Sequence, residues 1–365
     1  MFQKVGIIGL GLIGGSLAKA LKERLHTPEI IAVNRSEDTL KDAYKEGVID
    51  AYATEVTSTF SGCDVVFLCT PVDTIAFYAE QIAKFVSPTC VVSDVGSTKA
   101  EIFRAMTSYR GRFRYIGGHP MTGSEKFRYH ASKAHLFENA YYVLTPAEDV
   151  PASQTEAFRQ GLLAFGAIPV VVSPQLHDEV VASISHVPHI IASALCQSVQ
   201  EQDTPDHLMR LLAAGGFKDI TRIASSSPEM WTSICLENQA PILSSLTHLE
   251  TVIHQVKEEI ARGDRDQLWK YFENARTYRN SFATTTPGAF VKRYDISVDV
   301  IDKPGSIAII AVLFSSNNIN IKNMSIVNNR EQECGVVRFS FENEIERQKS
   351  VALLQSMNYE VTTID

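Results

Sequence analysis

One histidine in this sequence lies in a setting suited to acid–base chemistry. His119 follows an apolar stretch and stands among glycines in the run 117–125. Histidine titrates near neutral pH, so it exchanges protons under ordinary conditions. Glycines let the backbone and a ligand come close, and Pro120 favours extended geometry at the histidine. We predict that His119 lies on a glycine-rich turn at the carboxyl end of a strand, where open α/β sheets bind their ligands.

Two further polar residues are candidates for the same chemistry. Ser97 follows another strand-like run, and its hydroxyl is suited to orienting His119 or to bridging a substrate and a cofactor. The alternative for Ser97 is a helix cap. Glu125 ends the histidine run, and three roles are open for it: a gate, a partner of the site residues, or a surface carboxylate.

A long helical pattern contains a second polar motif. Ser185 and His189 are four residues apart and share a helix face. Pro188 disrupts a helix in mid-course, which suggests a kink that turns these side chains inward. A metal site made of His177, His186 and His189 would lack a cysteine or carboxylate ligand set at helix spacing, so no metal is predicted.

A charged cluster follows a glycine pair later in the helical region. Lys218 and Arg222 are four residues apart, so both charges would lie on one helix face. An arginine fork binds carboxylates through two parallel hydrogen bonds, and Asp219 is placed to hold Arg222. With Trp231 nearby, the cluster indicates a pocket wall for an anionic substrate; a solvated face is the alternative.

A glycine motif near the amino terminus is typical of dinucleotide binding. Gly9, Gly11 and Gly14 have the spacing G-x-G-x-x-G, with Leu12 and Ile13 in between, after a strand-like run and before a helical pattern. The glycines permit a tight turn, and the amino end of the helix presents N–H groups to a pyrophosphate. We predict that this segment binds a dinucleotide.

The second strand leaves the choice of dinucleotide open. About 20 residues beyond the glycines, an acidic side chain usually holds the ribose hydroxyls of NAD. Here the run is Asn34-Arg35-Ser36, with no carboxylate. Arg35 and Ser36 suit the 2′-phosphate of NADP, whereas Arg35 is equally consistent with a surface charge. NAD and NADP are therefore both candidates.

Three regions with different patterns follow one another along the chain. Residues 1–173 alternate β-branched runs with helical segments, which predicts an α/β fold with a Rossmann-type, doubly wound parallel sheet. Residues 174–285 have long helical patterns and predict an all-α domain. Residues 293–365 have the order β-α-β-β-α-β, which is the ferredoxin-like arrangement.

Composition limits the classes of function. The 365 residues carry a net charge of −8, which argues against general nucleic-acid binding. No uninterrupted apolar run reaches the roughly 18 residues of a membrane span, and we see no signal peptide. The six cysteines are scattered and form no C-x-x-C pair, as in a reduced cytosolic protein. We expect a cytoplasmic protein without nucleic-acid or membrane partners.

Five motifs in one order make the sequence similar to a known family. Together they resemble the prephenate dehydrogenase family of tyrosine biosynthesis, and the resemblance covers nearly the whole chain. The C-terminal region resembles an ACT domain, a small amino-acid-sensing module. The motifs are Gly9–Gly14, Gly96–Lys99, Gly118–Glu125, Ser185–His189 and Gly216–Arg222.

The resemblance implies a role for each motif. His119 would act on the ring hydroxyl of prephenate, Ser97 would assist it beside the nicotinamide, and Arg222 would bind a substrate carboxylate. The other substrate-binding residues implied are Ser185, His189, Lys218, Asp219 and Glu125. The cofactor-binding residues implied are Gly9, Gly11, Leu12, Ile13, Gly14, Asn34, Arg35, Ser36, Thr70 and Pro71. The family favours NAD, and its helical domain forms a dimer, so a homodimer is expected.

The resemblance also implies regulation by the C-terminal region. An ACT domain would bind an amino acid as effector, here the end product L-tyrosine. The residues implied are Asp302, Pro304, Gly305, Asn318 and Ile319. A purely dimerising module is the alternative.

The reaction implied is the oxidative decarboxylation of prephenate to 4-hydroxyphenylpyruvate, with hydride transfer to NAD(P)+. An arogenate dehydrogenase has the same layout, and the sequence does not locate the contact that would discriminate the two substrates. A redox sensor would bind dinucleotide without turnover, but His119, Ser97 and Arg222 together argue against it.

Overall fold

The computed structural model describes residues 2–27, 29–123, 128–285, 294–301, 303–327 and 334–364. Contacts within the chain divide it into two units, one ending at residue 275 and the other beginning at residue 276. The predicted domain boundaries near residues 173, 285 and 293 remain predictions.

An eight-stranded sheet forms the centre of the first unit. Its strands are β1 (Lys4–Ile8), β2 (Glu29–Val33), β3 (Ala51–Ala53), β4 (Val65–Leu68), β5 (Val91–Asp94), β6 (Arg114–Pro120), β7 (Tyr141–Pro146) and β8 (Ile168–Val171). Their order across the sheet is β3-β2-β1-β4-β5-β6-β7-β8. The first six strands in that order are parallel, which confirms the predicted Rossmann-type sheet.

The last two strands differ from the predicted continuation of the parallel sheet. β7 runs antiparallel to β6, and β8 is parallel to β7. A parallel pair needs a crossover connection, usually a helix. The described part of the connection from β6 to β7 contains only two short 3-10 turns, Tyr129–Ala131 and Ala134–Phe137.

Helices cover the sheet on both faces. They are α1 (Leu12–Leu25), α2 (Glu37–Lys45), α3 (Ile75–Ile82), α4 (Ala100–Met106) and α5 (Ala152–Ala164). In β1, Val5 and Ile7 belong to one buried core, whereas Ile8 belongs to a second core that contains Ile75 of α3. This burial on both faces explains why the strands have continuous apolar runs rather than alternating patterns.

The rest of the first unit is helical, as predicted. The helices are α6 (Pro174–Val181), α7 (Val187–Gln202), α8 (Leu208–Leu212), α9 (Gly215–Thr221), α10 (Pro228–Glu237) and α11 (Gln239–Arg262). A further helix, α12 (Arg265–Thr285), begins in the first unit and ends in the second. A π-helical turn, Ala182–His186, joins α6 to α7. It lies just before Pro188, which has no N–H to bond the carbonyl of Ile184, so the regular α-helical pattern is interrupted there.

The run Pro174–Gln202 has the length and hydropathy of a membrane-crossing helix. Core helices of water-soluble proteins have the same properties. Three of its polar residues, His177, Asp178 and His186, are buried against other elements of the first unit. This placement favours the core-helix interpretation.

The second unit contains a smaller sheet with two helices. Its elements are β9 (Tyr294–Ile301), α13 (Ser306–Ser316), β10 (Asn323–Val327), β11 (Cys334–Phe341), α14 (Glu344–Ser356) and β12 (Val361–Ile364). The strand order is β10-β11-β9-β12, with antiparallel pairs throughout. Its core contains Val298, Phe314 and Phe339. The predicted β-α-β-β-α-β order is confirmed.

Candidate active site

The glycine motif forms a cradle between β1 and α1. Gly9 has φ +96°, and a Cβ on Gly14 would lie 1.9 Å from the Gly9 carbonyl oxygen. A Cβ on Gly11 would meet no atom within 4 Å, so this position faces open space. Leu12 and Ile13 begin α1, and Gly11 gives its amino end no side-chain cap. The cradle therefore fits the diphosphate of a dinucleotide.

We expect two alanine substitutions in this cradle to have separable effects. Gly14→Ala forces a clash with backbone and should lower the melting temperature. Gly11→Ala has room in the folded chain, so stability should change little, whereas dinucleotide affinity should fall by at least about tenfold, which is about 1.4 kcal/mol. Calorimetric titration with NAD+ and NADP+, beside thermal melts, measures both. Unchanged affinity in Gly11→Ala would place the diphosphate elsewhere.

The residues after β2 have partly structural roles. The Asn34 side-chain oxygen accepts the N–H of Leu10 at 3.2 Å, which ties this loop to the glycine cradle. The Ser36 hydroxyl caps α2 by accepting the N–H of Thr39 at 3.4 Å. Arg35 is exposed and makes no hydrogen bond or ion pair with another described residue. Its guanidinium is thus available to a ligand.

Thr70 and Pro71 follow the neighbouring strand, β4. The Thr70 hydroxyl is buried and has no hydrogen-bond partner among the described residues. Pro71 is exposed and precedes a 3-10 turn, Val72–Thr74. An orphaned hydroxyl at the carboxyl end of a strand is consistent with the predicted cofactor contact.

His119 does not lie on a turn, and that expectation was wrong. It is the second-last residue of β6. A Cβ on Gly117 would lie 2.2 Å from Oγ1 of Thr145, and a Cβ on Gly118 would lie 2.5 Å from the carbonyl oxygen of Asp94. The glycines therefore let neighbouring strands approach rather than reverse the chain. The histidine is still delivered at the carboxyl end of a strand.

A chain of hydrogen bonds runs from His119 into the helical region. Nδ1 of His119 lies 2.8 Å from Nε2 of His177. Nδ1 of His177 lies 2.7 Å from Oδ1 of Asp178. The carboxylate of Asp178 also accepts the N–H groups of Lys99 and Ala100, at 2.8 Å each. Nε2 of His119 makes no hydrogen bond to another described residue and is not enclosed.

The surroundings of His119 keep its ring neutral. Burial lowers the pKa of His119 well below its usual value, and His177, Lys99 and His186 lower it further. A cationic ring would lose solvation and face other positive groups. At neutral pH, the open nitrogen of His119 is therefore ready to accept a proton.

We expect the rate to be insensitive to acid until the pH is well below 6.5. A lowered pKa leaves His119 neutral over a wider range of pH. We therefore expect kcat/KM to stay constant from pH 8 to below the ordinary pKa of histidine. It should fall only at lower pH. A pH profile of kcat/KM measures this, with stability checked at each pH. A midpoint above 6.5 for the acidic limb would contradict the assignment.

A buried ion pair braces the loop beside His119. Asp94 and Lys99 are fully buried and form a short contact. Asp94 also accepts the hydroxyl of Tyr115 at 2.7 Å, the N–H of Gly96 at 2.8 Å and that of Gly118 at 3.3 Å. One carboxylate thus joins the loop after β5 to the strand that carries the histidine.

Ser97 lies on that braced loop, half-buried, and its hydroxyl has no hydrogen bond to a described residue. The amino end of α4 is capped by Asp178, so the structure does not show the alternative capping role for Ser97. Its role beside His119 remains a prediction. Glu125 lies outside the described residues.

The helical region adds an aromatic wall. His189 stacks on Trp231 with ring centroids 3.7 Å apart, and its Nδ1 lies 3.1 Å from the backbone oxygen of Ser185. Burial lowers the pKa of His189. The side-chain amide of Asn238 lies 2.9 Å from the carbonyl oxygen of Asp178 and 3.1 Å from Nδ1 of His186. His186 and Trp231 meet edge to face, so these residues connect to the His119 chain.

The charged cluster lies on the next segment. The side chains of Lys218 and Asp219 are exposed on α9 and make no hydrogen bond or ion pair with another described residue. Arg222 is exposed and begins a 3-10 turn after α9. Both elements pack against α7, which carries His189. Their predicted substrate contacts remain predictions.

Sequence reasoning missed most of the hydrogen-bonded support of the histidine. A signal for it exists, because Asp178, His186 and His189 recur on one face of a helical pattern and Asp94 ends an apolar strand. The missed residues are Asp94, Lys99, His177, Asp178 and Asn238. The sequence alone presents His177 only as a candidate metal ligand, whereas in the structure it contacts His119.

Comparison with known proteins agrees with this site. Residues 17–171 match the model of the "Prephenate dehydrogenase, nucleotide-binding domain". Residues 173–274 match the "Prephenate dehydrogenase, dimerization domain". A prephenate dehydrogenase of Bacillus subtilis is 36% identical over 358 residues, which cover 98% of this chain and 96% of that protein.

Solved structures agree as well. A prephenate dehydrogenase from Aquifex aeolicus in complex with hydroxyphenyl propionate and NAD+ has a TM-score of 0.73 and 31% identity, covering 77% of this chain and 99% of that one. An arogenate dehydrogenase of Synechocystis has a TM-score of 0.69 and 31% identity, covering 76% and 99%. With a dinucleotide cradle, a neutral histidine at a strand end and matches along nearly its whole length, this chain belongs to the prephenate dehydrogenase family of NAD(P)-dependent oxidoreductases.

Proposed function

We propose that this protein oxidises and decarboxylates prephenate to 4-hydroxyphenylpyruvate, in the formation of tyrosine. The observation that carries the proposal is the neutral His119, whose open Nε2 lies at the carboxyl end of β6. Family membership supplies the substrate class, and the cradle before α1 supplies the dinucleotide site.

In this mechanism His119 accepts the proton of the C4 hydroxyl of the substrate. The bound nicotinamide supplies the hydride acceptor. As hydride leaves C4, carbon dioxide leaves C1 and the ring becomes aromatic, which supplies the driving force. The proton held by the protein then returns to the phenolate oxygen, which gives 4-hydroxyphenylpyruvate. Ser97 orients the hydroxyl, and Arg222 binds a substrate carboxylate. The protein chiefly contributes orientation and a base that stays neutral at the working pH.

Arogenate is a second candidate substrate, because the Synechocystis arogenate dehydrogenase is as identical to this chain as the prephenate dehydrogenase of Aquifex aeolicus. Growth of absorbance at 340 nm with each substrate, and with NAD+ or NADP+ in turn, decides between them. We expect turnover with prephenate. Turnover with arogenate but not with prephenate would make arogenate the substrate. An absence of turnover with both compounds would refute the proposal.

We propose NAD+ as the preferred cofactor within the dinucleotide site. The NAD+ bound to the Aquifex aeolicus relative supports this choice. Arg35 favours NADP+ instead, because its exposed guanidinium follows β2, where the 2′-phosphate of that cofactor would lie. A hundredfold preference for NAD+ in the same assay would remove a phosphate-binding role for Arg35.

We propose that the protein is a cytoplasmic homodimer. The support is a set of large apolar side chains exposed on the helices of a chain that matches a dimerisation domain. They include Leu211, Leu212, Ile220, Leu236, Leu243, Ile260, Trp269 and Phe272. Large apolar side chains left exposed on such a domain are suited to burial in an interface. Sedimentation equilibrium tests this, and a monomer at micromolar concentration would contradict it.

We propose L-tyrosine as an effector of the second unit. Asn318 and Ile319 line a groove beside α13, together with Ser315 and Ile321. Pro304 and Gly305 are exposed at the start of the same helix, whereas Asp302 lies outside the described residues. Calorimetric titration of tyrosine into the full chain, beside an inhibition assay, tests this. No heat and no inhibition would favour a purely dimerising module.

A further inference from the structure

The protonation of the two histidines follows from the carboxylate at the end of their chain. An ionised Asp178 only accepts hydrogen bonds, so Nδ1 of His177, 2.7 Å away, carries a proton. Nε2 of a neutral His177 is then an acceptor, and Nδ1 of His119, 2.8 Å from it, must donate. The neutral ring of His119 is left with a bare Nε2, which is the atom that makes no hydrogen bond to another described residue.

Asp178 is held firmly in the acceptor role. Its two oxygens accept the N–H groups of Lys99 and Ala100, and its carbonyl oxygen accepts the amide of Asn238. The side chain is buried. Backbone and amide N–H groups can only donate, so these oxygens of Asp178 act as acceptors. Asp178, at the buried end, therefore sets the donor-to-acceptor direction of both hydrogen bonds between it and His119.

The surroundings of His119 destabilise the protonated, cationic form of its ring. Burial lowers the pKa of His119 most, and His177, Lys99 and His186 lower it further. The negative charges nearby are otherwise engaged, because Asp94 pairs with Lys99. His177, in contrast, is in direct contact with Asp178. A positive charge on His177 would therefore lie directly beside a carboxylate, whereas one on His119 would not.

We propose that His177 is a positioning and relay residue, which receives the Nδ1 proton of His119 as Nε2 of His119 takes the substrate's hydroxyl proton. This inference rests on the proposed function and extends it. The substrate O–H bond breaks and an Nε2–H bond forms on His119. The Nδ1–H bond of His119 breaks, and an Nε2–H bond forms on His177. His119 ends neutral, and the new positive charge lies on His177 beside Asp178. Once the ring is aromatic, the two transfers reverse, so that the phenolate oxygen regains its proton and both histidines are neutral again.

The substitution His177→Gln separates the positioning of the His119 ring from the uptake of its Nδ1 proton. The glutamine amide reaches the position of Nε2, so its oxygen still accepts the Nδ1–H of His119 and fixes the ring, but it takes up no proton. We expect kcat to fall by about tenfold or more, towards the lower range of acid–base contributions, with KM for prephenate nearly unchanged. His135→Gln, on an exposed 3-10 turn, is the matched control and should leave kcat unchanged.

Solvent isotope effects add a readout that a purely structural role would not move. In mixtures of H2O and D2O, two protons in flight give a curved dependence of kcat on deuterium content, whereas one gives a straight line. We expect a curve for the wild type and a line for His177→Gln. A primary kinetic isotope effect on kcat with substrate deuterated at C4 shows that hydride transfer limits the rate in both the wild type and His177→Gln. A straight line for the wild type, or wild-type kcat in the variant, overturns the relay.

Ring 15N spectra of the unmodified protein test the proposal even where His177→Gln fails to fold. We expect both His119 and His177 as the Nδ1–H tautomer near neutral pH. A proton on Nε2 of His119 would overturn the inference. This outcome is distinct from failure of the proposed function, which would be an absence of turnover with prephenate and arogenate in the wild type.

Discussion

His119→Asn lowers kcat for prephenate oxidation by about 10²–10⁴-fold, the contribution typical of a positioned general base. The asparagine amide lies where Nδ1 of the ring lay, so it still donates to Nε2 of His177, 2.8 Å away in the native protein. No atom replaces Nε2, and the C4 hydroxyl loses its proton acceptor. Initial rates at saturating prephenate and dinucleotide measure the effect.

Dinucleotide binding serves as the internal control for that variant. The glycine cradle does not include the histidine, so the Kd for NAD+ should stay within about twofold, or roughly 0.4 kcal/mol. His135→Asn tests the same substitution at an exposed site and should leave kcat unchanged. An unaltered kcat in His119→Asn would remove the residue from the mechanism. A joint loss of rate and dinucleotide affinity would indicate a structural role instead.

Asp94→Ala lowers the free energy of unfolding by about 3–5 kcal/mol, the cost typical of breaking a buried ion pair from one side. Lys99 is left fully buried without its counter-charge. Tyr115, Gly96 and Gly118 lose the oxygen to which they donate. Equilibrium unfolding in urea, followed by tryptophan fluorescence and by circular dichroism, measures the loss.

A second substitution separates two contributions to the lost stability: the unpaired charge of Lys99 and the missing hydrogen bonds to Asp94. In Asp94→Ala with Lys99→Met, the stranded ammonium group is gone, so part of the lost stability should return. The remaining deficit reflects the unpaired donors of Tyr115 and the two glycines. If the double variant is no more stable than Asp94→Ala, the buried charge of Lys99 is not the source of the instability.

The sequence predicted the elements whose patterns come from local burial. Val5–Ile8 is apolar throughout because alternate residues enter cores on opposite faces of the sheet. The same reasoning could not assign the direction of β7, because Tyr141–Leu144 has the same apolar character in a parallel or an antiparallel strand. Direction depends on the connection before it, whose described part forms only two 3-10 turns and no crossover helix.

The candidate site was predicted in part. His119 was identified from its type and neighbours, but its setting was not, because the glycines beside it serve strand packing instead of a turn. His177 lies 58 residues away along the chain, and its contact with His119 depends on how α6 packs against the sheet. Spacing along a sequence does not contain that information. The roles of Ser97, Arg222 and Lys218 remain predictions for the same reason.

The central claim is that one reaction at His119 couples hydride loss to decarboxylation. Its most direct test is to quantify three products from prephenate in a single reaction: reduced dinucleotide, carbon dioxide and 4-hydroxyphenylpyruvate. We expect equal amounts of all three from the wild type, and at least about 100-fold less of each from His119→Asn over the same time. Reduced dinucleotide without carbon dioxide, or equal yields from both proteins, would contradict the claim.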